Sequence, residues 1–383
     1  MKRYMICMVP AIALVVLLAG CQQAPKDLKV AILAPLSGPA PTFGVLTRDG
    51  ALLAVDEWNA KGGVLGRKIT TVIEDSQCAA DAAVNAANKV INQDHVHYII
   101  GEVCSGASIP VSEIANKQKI IQITPASTNP AVTVDANGKT KEYIFRTVFI
   151  DSYQGRVAAN FAFTDLKAKT VFFMFDQGND YSSGLTATFK AEFTKLGGSV
   201  AGQESYTKTD ADFSAILAKI KTSKAEVVFL PDYYNVANLV TKQAKEKGIT
   251  AAFIGTDGWE SPDLDLKAAD GAYFISAFSR EDPRPEVAQF FKAYGEKYKD
   301  EQGKPIAPAS QAVVAYDAMN VLLEGIKAAG VDNTDKVRDA LEKIDYKAVA
   351  GHITYDAQHN PQLGAIVVQI KNGKGNFLSH VNL

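Results

Sequence analysis

The chain has 383 residues, room for two or three domains at ~100–200 residues each. Its 40 Lys and Arg stand against 42 Asp and Glu, a formal charge of −2, with 47% hydrophobic and 21% charged residues. That balance excludes disorder for the bulk of the chain and shows no basic excess for a nucleic-acid partner; beyond residue 20, no apolar run reaches the ~18 residues of a membrane span.

Lys2 and Arg3 precede an apolar stretch from Ile6 to Leu18, the layout of a secretory signal over residues 1–20. The stretch ends Leu18-Ala19-Gly20-Cys21, which resembles the bacterial lipobox, in which the Cys carries lipid and becomes the first mature residue. Cys21 is therefore the expected lipidation site, and residues 21–27 a polar tether. Loss of Lys2 and Arg3 takes the charge from −2 to −4. Cys7 leaves with the signal, so Cys78 and Cys104 remain as a single pair in an oxidising compartment. A reactive thiol or a metal pair is the alternative, but their spacing, with no nearby His set, fits no zinc signature. A disulfide is expected.

Strand and helix patterns then alternate. Strand Leu28–Leu33 leads through the Pro35–Pro41 loop to a helix whose buried face carries Leu46, Gly50, Leu53, Ala54 and Trp58, ended by Lys61-Gly62-Gly63. Strand Ile69–Glu74, helix Ala79–Gln93, strand Tyr98–Gly101, helix Gly106–Gln118 and strand Ile120–Ile123 follow. After Tyr143–Phe149 the pattern restarts with helix Gln154–Phe163 and strand Thr170–Phe175. Helix Gly184–Lys195, strand Ser199–Gln203, helix Phe213–Thr222, strand Glu226–Leu230, helix Val236–Lys247 and strand Ala251–Gly255 continue it. Strand Tyr273–Ser276 precedes helices near Pro285–Asp300, Pro308–Ala329 and Asp335–Ile344, and strand Ala365–Ile370 closes the chain. Apolar strands alternating with helices indicate parallel sheets covered on both faces, here two doubly wound α/β lobes, with ligands beyond the carboxyl ends of the strands.

Several segments carry a resemblance in order along the mature chain. They are Lys29-Val30-Ala31-Ile32 with Leu36-Ser37-Gly38-Pro39, Asn59-Ala60-Lys61-Gly62-Gly63, Ala87-Asn88-Lys89-Val90, Cys104-Ser105, Ile123-Thr124-Pro125-Ala126, Phe145-Arg146-Thr147 and Gly255-Thr256-Asp257-Gly258. Together they resemble the leucine/isoleucine/valine-binding proteins, type I periplasmic solute-binding proteins of ABC importers. The resemblance implies two lobes joined by three crossovers near residues 149, 278 and 354. One lobe is expected over 28–148 with 279–354, the other over 149–278 with 355–383. It also implies a disulfide just before the first ligand-binding serine, matching Cys78 and Cys104.

Ser105 precedes a helix, whose free N–H groups and partial positive charge suit a carboxylate. By the residues alone it is equally an N-cap serine; the resemblance assigns it the ligand carboxylate. Ala126, Ser127 and Thr128 follow the next strand at the same sheet edge, and by the resemblance Ala126 and Thr128 complete the cradle. Asp257, in a loop after a strand, either forms a turn before Gly258 or pairs with a ligand ammonium. Tyr181 and Tyr233 match family aromatics that close over the ligand, Phe43 supplies an apolar wall, and Val103 lines the side-chain pocket. Glu102 and Trp259 flank the site in sequence, and strand alternation leaves their direction open.

No Gly-x-Ser-x-Gly elbow or Walker loop occurs, and Gly62-Gly63-Val64-Leu65-Gly66 lacks the Lys-Ser/Thr of the latter. The five histidines, His95, His97, His352, His359 and His380, are dispersed; His95-Val96-His97 is a candidate chelate, but surface or loop histidines are the simpler reading. No enzyme, metal site or cofactor is expected. The expectation is a monomeric, lipid-anchored protein of the periplasm or cell surface that delivers an amino acid to ABC permease subunits. Aliphatic side chains come first, aromatic amino acids second, aromatic carboxylates or short amides third. The rival is a sensory subunit of the same fold for an amide or aromatic carboxylate. The effector domain of a DNA-binding repressor shares the architecture but needs a helix-turn-helix where the lipobox stands.

Overall fold

The structure is a computed structural model that describes residues 26–381; the expected signal, the lipobox and Cys21 lie outside the described residues. The first strand, β1 (Leu28–Ala34), exposes only Lys29, as a run buried on both faces must. It is flanked by β2 (Ile69–Asp75) on one side and by β3 (Tyr98–Ile100), β4 (Ile121–Thr124) and β5 (Ile144–Arg146) on the other. All pairings are parallel. Helices α1 (Pro41–Ala60), α2 (Ala80–Asn92) and α3 (Ser105–Lys117) make the crossovers.

The chain then passes into a second sheet. Helix α4 (Asp151–Asn160) runs on through a π-helical turn, Phe161–Asp165, to β6 (Thr170–Asp176). Helix α5 (Asp180–Lys195), β7 (Ser199–Tyr206), α6 (Ser214–Ser223), β8 (Val227–Phe229), α7 (Tyr234–Glu246), β9 (Ala252–Gly255) and β10 (Tyr273–Ser276) follow. Next the chain returns to the first lobe with α8 (Pro285–Lys297), α9 (Ser310–Ala329) and α10 (Thr334–Leu341). Here α9 packs on α1 and beneath β3 and β4. The contact is close because Gly50 has no side chain: a Cβ there would lie 2.0 Å from the Ala312 carbonyl oxygen. A short hairpin, β11 (Tyr346–Lys347) and β12 (His352–Ile353), precedes the third passage, into β13 (Ala365–Lys371) and β14 (Lys374–Val381). The second sheet runs β14-β13-β10-β9-β8-β6-β7, with β13 and β14 antiparallel to their neighbours.

Several elements differ from the sequence reading, among them the short β11–β12 hairpin, which it lacks, and β7, which runs three residues further. β14 was also absent from that reading, although Asn372-Gly373, both with positive φ (56° and 70°), is a strong two-residue hairpin signal. Helix α5 begins at Asp180, because Asn179 caps it by accepting from Tyr181 N at 3.1 Å, so Tyr181 sits in a helical first turn. Helix α4 likewise begins at Asp151 rather than Gln154.

Candidate functional site

The carboxyl ends of the two sheets face one cavity of at most about 300 Å3, lined by Phe43, Val103, Ser105, Ala126, Tyr181, Tyr233, Asp257, Gly258 and Gln311. Seven of these are site residues expected from the sequence; Gly258 appears there only as the neighbour of Asp257, and Gln311 not at all.

The first-lobe end is built from two loops. Cys78 and Cys104 are disulfide-bonded, which ties the turn after β2 to the residue before Ser105. Cys104 is the N-cap of α3 and makes no side-chain cap bond. Its carbonyl accepts from Ala107 N and Ser108 N at 3.0 and 2.8 Å, so the N–H groups of Ser105 and Gly106 stand ahead of the first intrahelical bonds. Ser105 Oγ accepts from Asn129 N at 3.4 Å. In the neighbouring loop, Thr124 Oγ1 donates to the Glu102 carbonyl at 2.6 Å and accepts from Ser127 N at 3.0 Å. Ser127 Oγ reaches the carbonyls of Glu102 and Val103, both at 3.0 Å. Ser127 thus stitches the two loops together and does not line the cavity. Thr128 is fully buried and also off the lining; its Oγ1 has no hydrogen-bond partner among the described residues. Beneath the loop the buried Arg146 guanidinium donates to Ser127 O at 2.7 Å and Asn129 O at 2.9 Å. Burial pulls its pKa down to about 10.

The second-lobe end is acidic. Asp257 opens a 3-10 turn after β9, and its Oδ1 accepts from Gln154 Nε2 at 2.8 Å and the Tyr181 hydroxyl at 2.6 Å. Burial raises its pKa despite those bonds. Asp151, at the head of α4, is 1% exposed, and neither carboxylate oxygen has a hydrogen-bond partner among the described residues. Burial, opposed by the nearby Thr128 hydroxyl and aided by the charge of Asp257, pushes it up to about 8. Tyr181 and Tyr233 stack at 5.3 Å between centroids, and Phe43 meets Tyr233 edge-on at 5.8 Å. Phe43 therefore packs first-lobe surface onto the second lobe, as does Asn129 Nδ2, which donates to Asp180 O at 2.9 Å. Gly258 is required where it stands: a Cβ would lie 2.7 Å from the Asp232 carbonyl and 2.9 Å from the Tyr181 hydroxyl.

Glu102 and Trp259 both turn away from the cavity. The Glu102 carboxylate accepts from Cys104 N at 2.6 Å and from Ser76 Oγ, and burial raises its pKa to about 7. The Trp259 indole donates to Leu230 O at 3.0 Å. A wider, open hollow lined by His95, Val96 and His97 lies on the surface and holds none of the residues above. Among the described residues no cluster of His, Cys, Asp or Glu has the make-up of a metal site.

The family model for the periplasmic binding proteins matches residues 27–375. The leucine-, isoleucine-, valine-, threonine- and alanine-binding protein of Pseudomonas aeruginosa is 31% identical over 343 residues, 88% of each chain. The solved structure of a branched-chain amino acid transporter substrate-binding protein, LivJ of Streptococcus pneumoniae in complex with isoleucine, is 29% identical. It superposes with a TM-score of 0.85 over 93% of this chain and 99% of that one. A solute-binding protein of an ABC transporter from Rhodopseudomonas palustris, in complex with benzoate, is 25% identical, with a TM-score of 0.82 over 92% and 96% of the two chains.

Proposed function

The chain belongs to the periplasmic binding protein family, with its type I fold, and from that premise we propose that it takes up an α-amino acid as the zwitterion and hands it to an ABC permease. The observation that carries this is the pairing of opposite poles in one cavity: helix N–H groups and Ser105 at one end, Asp257 at the other. Free helix-terminal N–H groups suit a carboxylate, and a buried Asp suits an ammonium. Ala126 lines the cavity beside Ser105, where its carbonyl serves as a second acceptor for the ammonium. Residues 28–148 with 279–354, and 149–278 with 355–383, act as the two bodies that close on the ligand. Closure removes water and so strengthens both charge contacts. The permease then reads the closed form, a shift of population between open and closed states. We place the protein outside the cytoplasm as a monomer held by a lipid on Cys21.

A second reading, an aromatic carboxylate ligand, draws support from the aromatic walls Phe43, Tyr181 and Tyr233 and from the benzoate-bound relative. It leaves Asp257 without a counter-charge. Calorimetric titration with amino acids and with benzoate separates the two. The amino-acid reading expects heat only from ligands that carry an ammonium; benzoate binding in the absence of any amino-acid binding overturns it.

A further inference from the structure

Gln311 enters the cavity from the first turn of α9, on the segment that returns from the second lobe. It is 7% exposed, and its Oε1 is enclosed without a hydrogen-bond partner among the described residues. The backbone there is held in place: Ser310 N donates to Glu260 Oε1 at 3.3 Å, and α9 packs on α1. Nothing else in the wall meets the amide. Phe43, Val103 and Ala126 bring no side-chain polar atom, Tyr181 is engaged with Thr256 and Asp257, Asp257 also with Gln154, Ser105 with Asn129, and the Tyr233 hydroxyl is turned to Asn179. Turning the carboxamide over only exchanges an unmet acceptor for an unmet donor. An apolar ligand side chain would leave this group buried and unpaired, whereas a hydroxyl or amide would complete it.

We propose that Gln311 reads the ligand's side chain, and that the preferred ligand is a small α-amino acid carrying a neutral hydrogen-bonding group, a hydroxyl or a carboxamide. The inference rests on the amino-acid reading above and displaces the aliphatic preference drawn from the sequence. Neutrality follows from the lining, in which Asp257 is the sole carboxylate and no Lys or Arg appears. A second ligand charge would be buried without a partner. Size follows from the void, which at no more than about 300 Å3 lies at the bottom of the ~300–1,000 Å3 range of ligand sites and so suits a small ligand. Sites built to hydrogen-bond a ligand group reject the analogue lacking it far more strongly than apolar pockets reject one methylene.

The test is calorimetric titration of the mature chain with threonine against its near-isostere valine, and with asparagine against leucine. The wild type should favour the polar member of at least one pair by about tenfold or more. Gln311→Leu should remove that preference, with Gln311→Met as a second variant should the first fold poorly. A wild type that favours the polar member of neither pair overturns the inference and leaves the amino-acid reading standing. A polar preference that survives in both variants overturns the assignment to Gln311. Binding of none of the four overturns the inference, and the amino-acid reading falls with it only if the remaining amino acids also give no heat.

Discussion

At the first-lobe end the cavity is lined by neutral groups alone, and the loops that carry them are braced beforehand: the Thr124 and Ser127 hydroxyls bridge two loops, and Arg146 clamps the carbonyls below them. At the second-lobe end the protein uses carboxylates that are not fully satisfied, for Asp257 has bonds to one oxygen only and Asp151 to neither. Fixed dipoles can be hydrogen-bonded in advance and still point N–H groups at a ligand, so preorganising an anion site costs little. A buried negative charge has no such neutral solution and stays under-compensated until a cation arrives. The ligand's ammonium should therefore matter more than its carboxylate, and Asp151, pushed up furthest by burial, should weigh heavily in how the empty protein responds to pH.

The largest effect is expected from Asp257→Asn. Losing one charge-assisted contact costs about 1.5–3 kcal/mol, and an uncompensated buried charge about 3–5 kcal/mol. At ~1.4 kcal/mol per decade, affinity for the best amino acid should fall between about tenfold and a thousandfold. Calorimetry with the variant decides it. An affinity within twofold of wild type would mean that no cation sits there and that the contrast between the two ends is wrong.

The ligand-free protein supplies the next test. Asp151 titrates near 8 and Asp232 near 7, both raised by burial above the ordinary Asp range. Between the unfolded and folded values the folded chain binds more protons than the unfolded one, so stability falls as pH rises. The empty protein should melt higher at pH 5 than at pH 8. Asp151→Asn, which mimics the protonated acid, should flatten that slope by an amount on the order of a few kcal/mol. Melting curves across that range, wild type beside variant, give the comparison. Parallel slopes would show that Asp151 is charged and paired in a way the geometry does not provide.

The covalent tie belongs to the neutral end alone. With its cysteines 26 positions apart, the bridge should stabilise the fold by about 3 kcal/mol in the chain-entropy model. Replacing Cys78 and Cys104 together by Ser should shift the urea midpoint accordingly and weaken binding through the Ser105 loop. Unfolding curves that superimpose with and without reductant would remove the disulfide from the account.

The neutral end was also the more legible one in the sequence. Val103 with Ser105, and Ala126, each follow an apolar strand directly, and the sheet-edge rule places such loops at the ligand without knowledge of packing. Asp257 follows β9 in the same way. Which hydroxyl in the run Thr124 to Thr128 faces the cavity was not legible, because the buried Arg146 and the loop carbonyls decide it. Asp151 and Gln154 sit on a helix whose start was read three residues late, and no local signal marks a helical Gln as a partner of Asp257. Gln311 arrives by the chain's return to the first lobe, a tertiary event invisible to periodicity. By contrast, Asn372-Gly373 and the Asn179 cap were local signals that, given their due weight, would have placed β14 and the start of α5 correctly.

Ser105→Ala should give the smallest change, and its size bears directly on the contrast. The hydroxyl makes one long bond, to Asn129 N at 3.4 Å, so its removal disturbs the loop little. The N–H groups of Ser105 and Gly106 remain at the helix head with the helix's partial positive charge behind them. One neutral hydrogen bond to the ligand is then lost, about 0.5–1.5 kcal/mol, or about two- to tenfold in affinity. Titrated with the same amino acid, Ser105→Ala should stay closer to wild type than Asp257→Asn. Equal losses would show that the hydroxyl, rather than the backbone, holds the carboxylate. The neutral end would then be as dependent on a single side chain as the acidic end is.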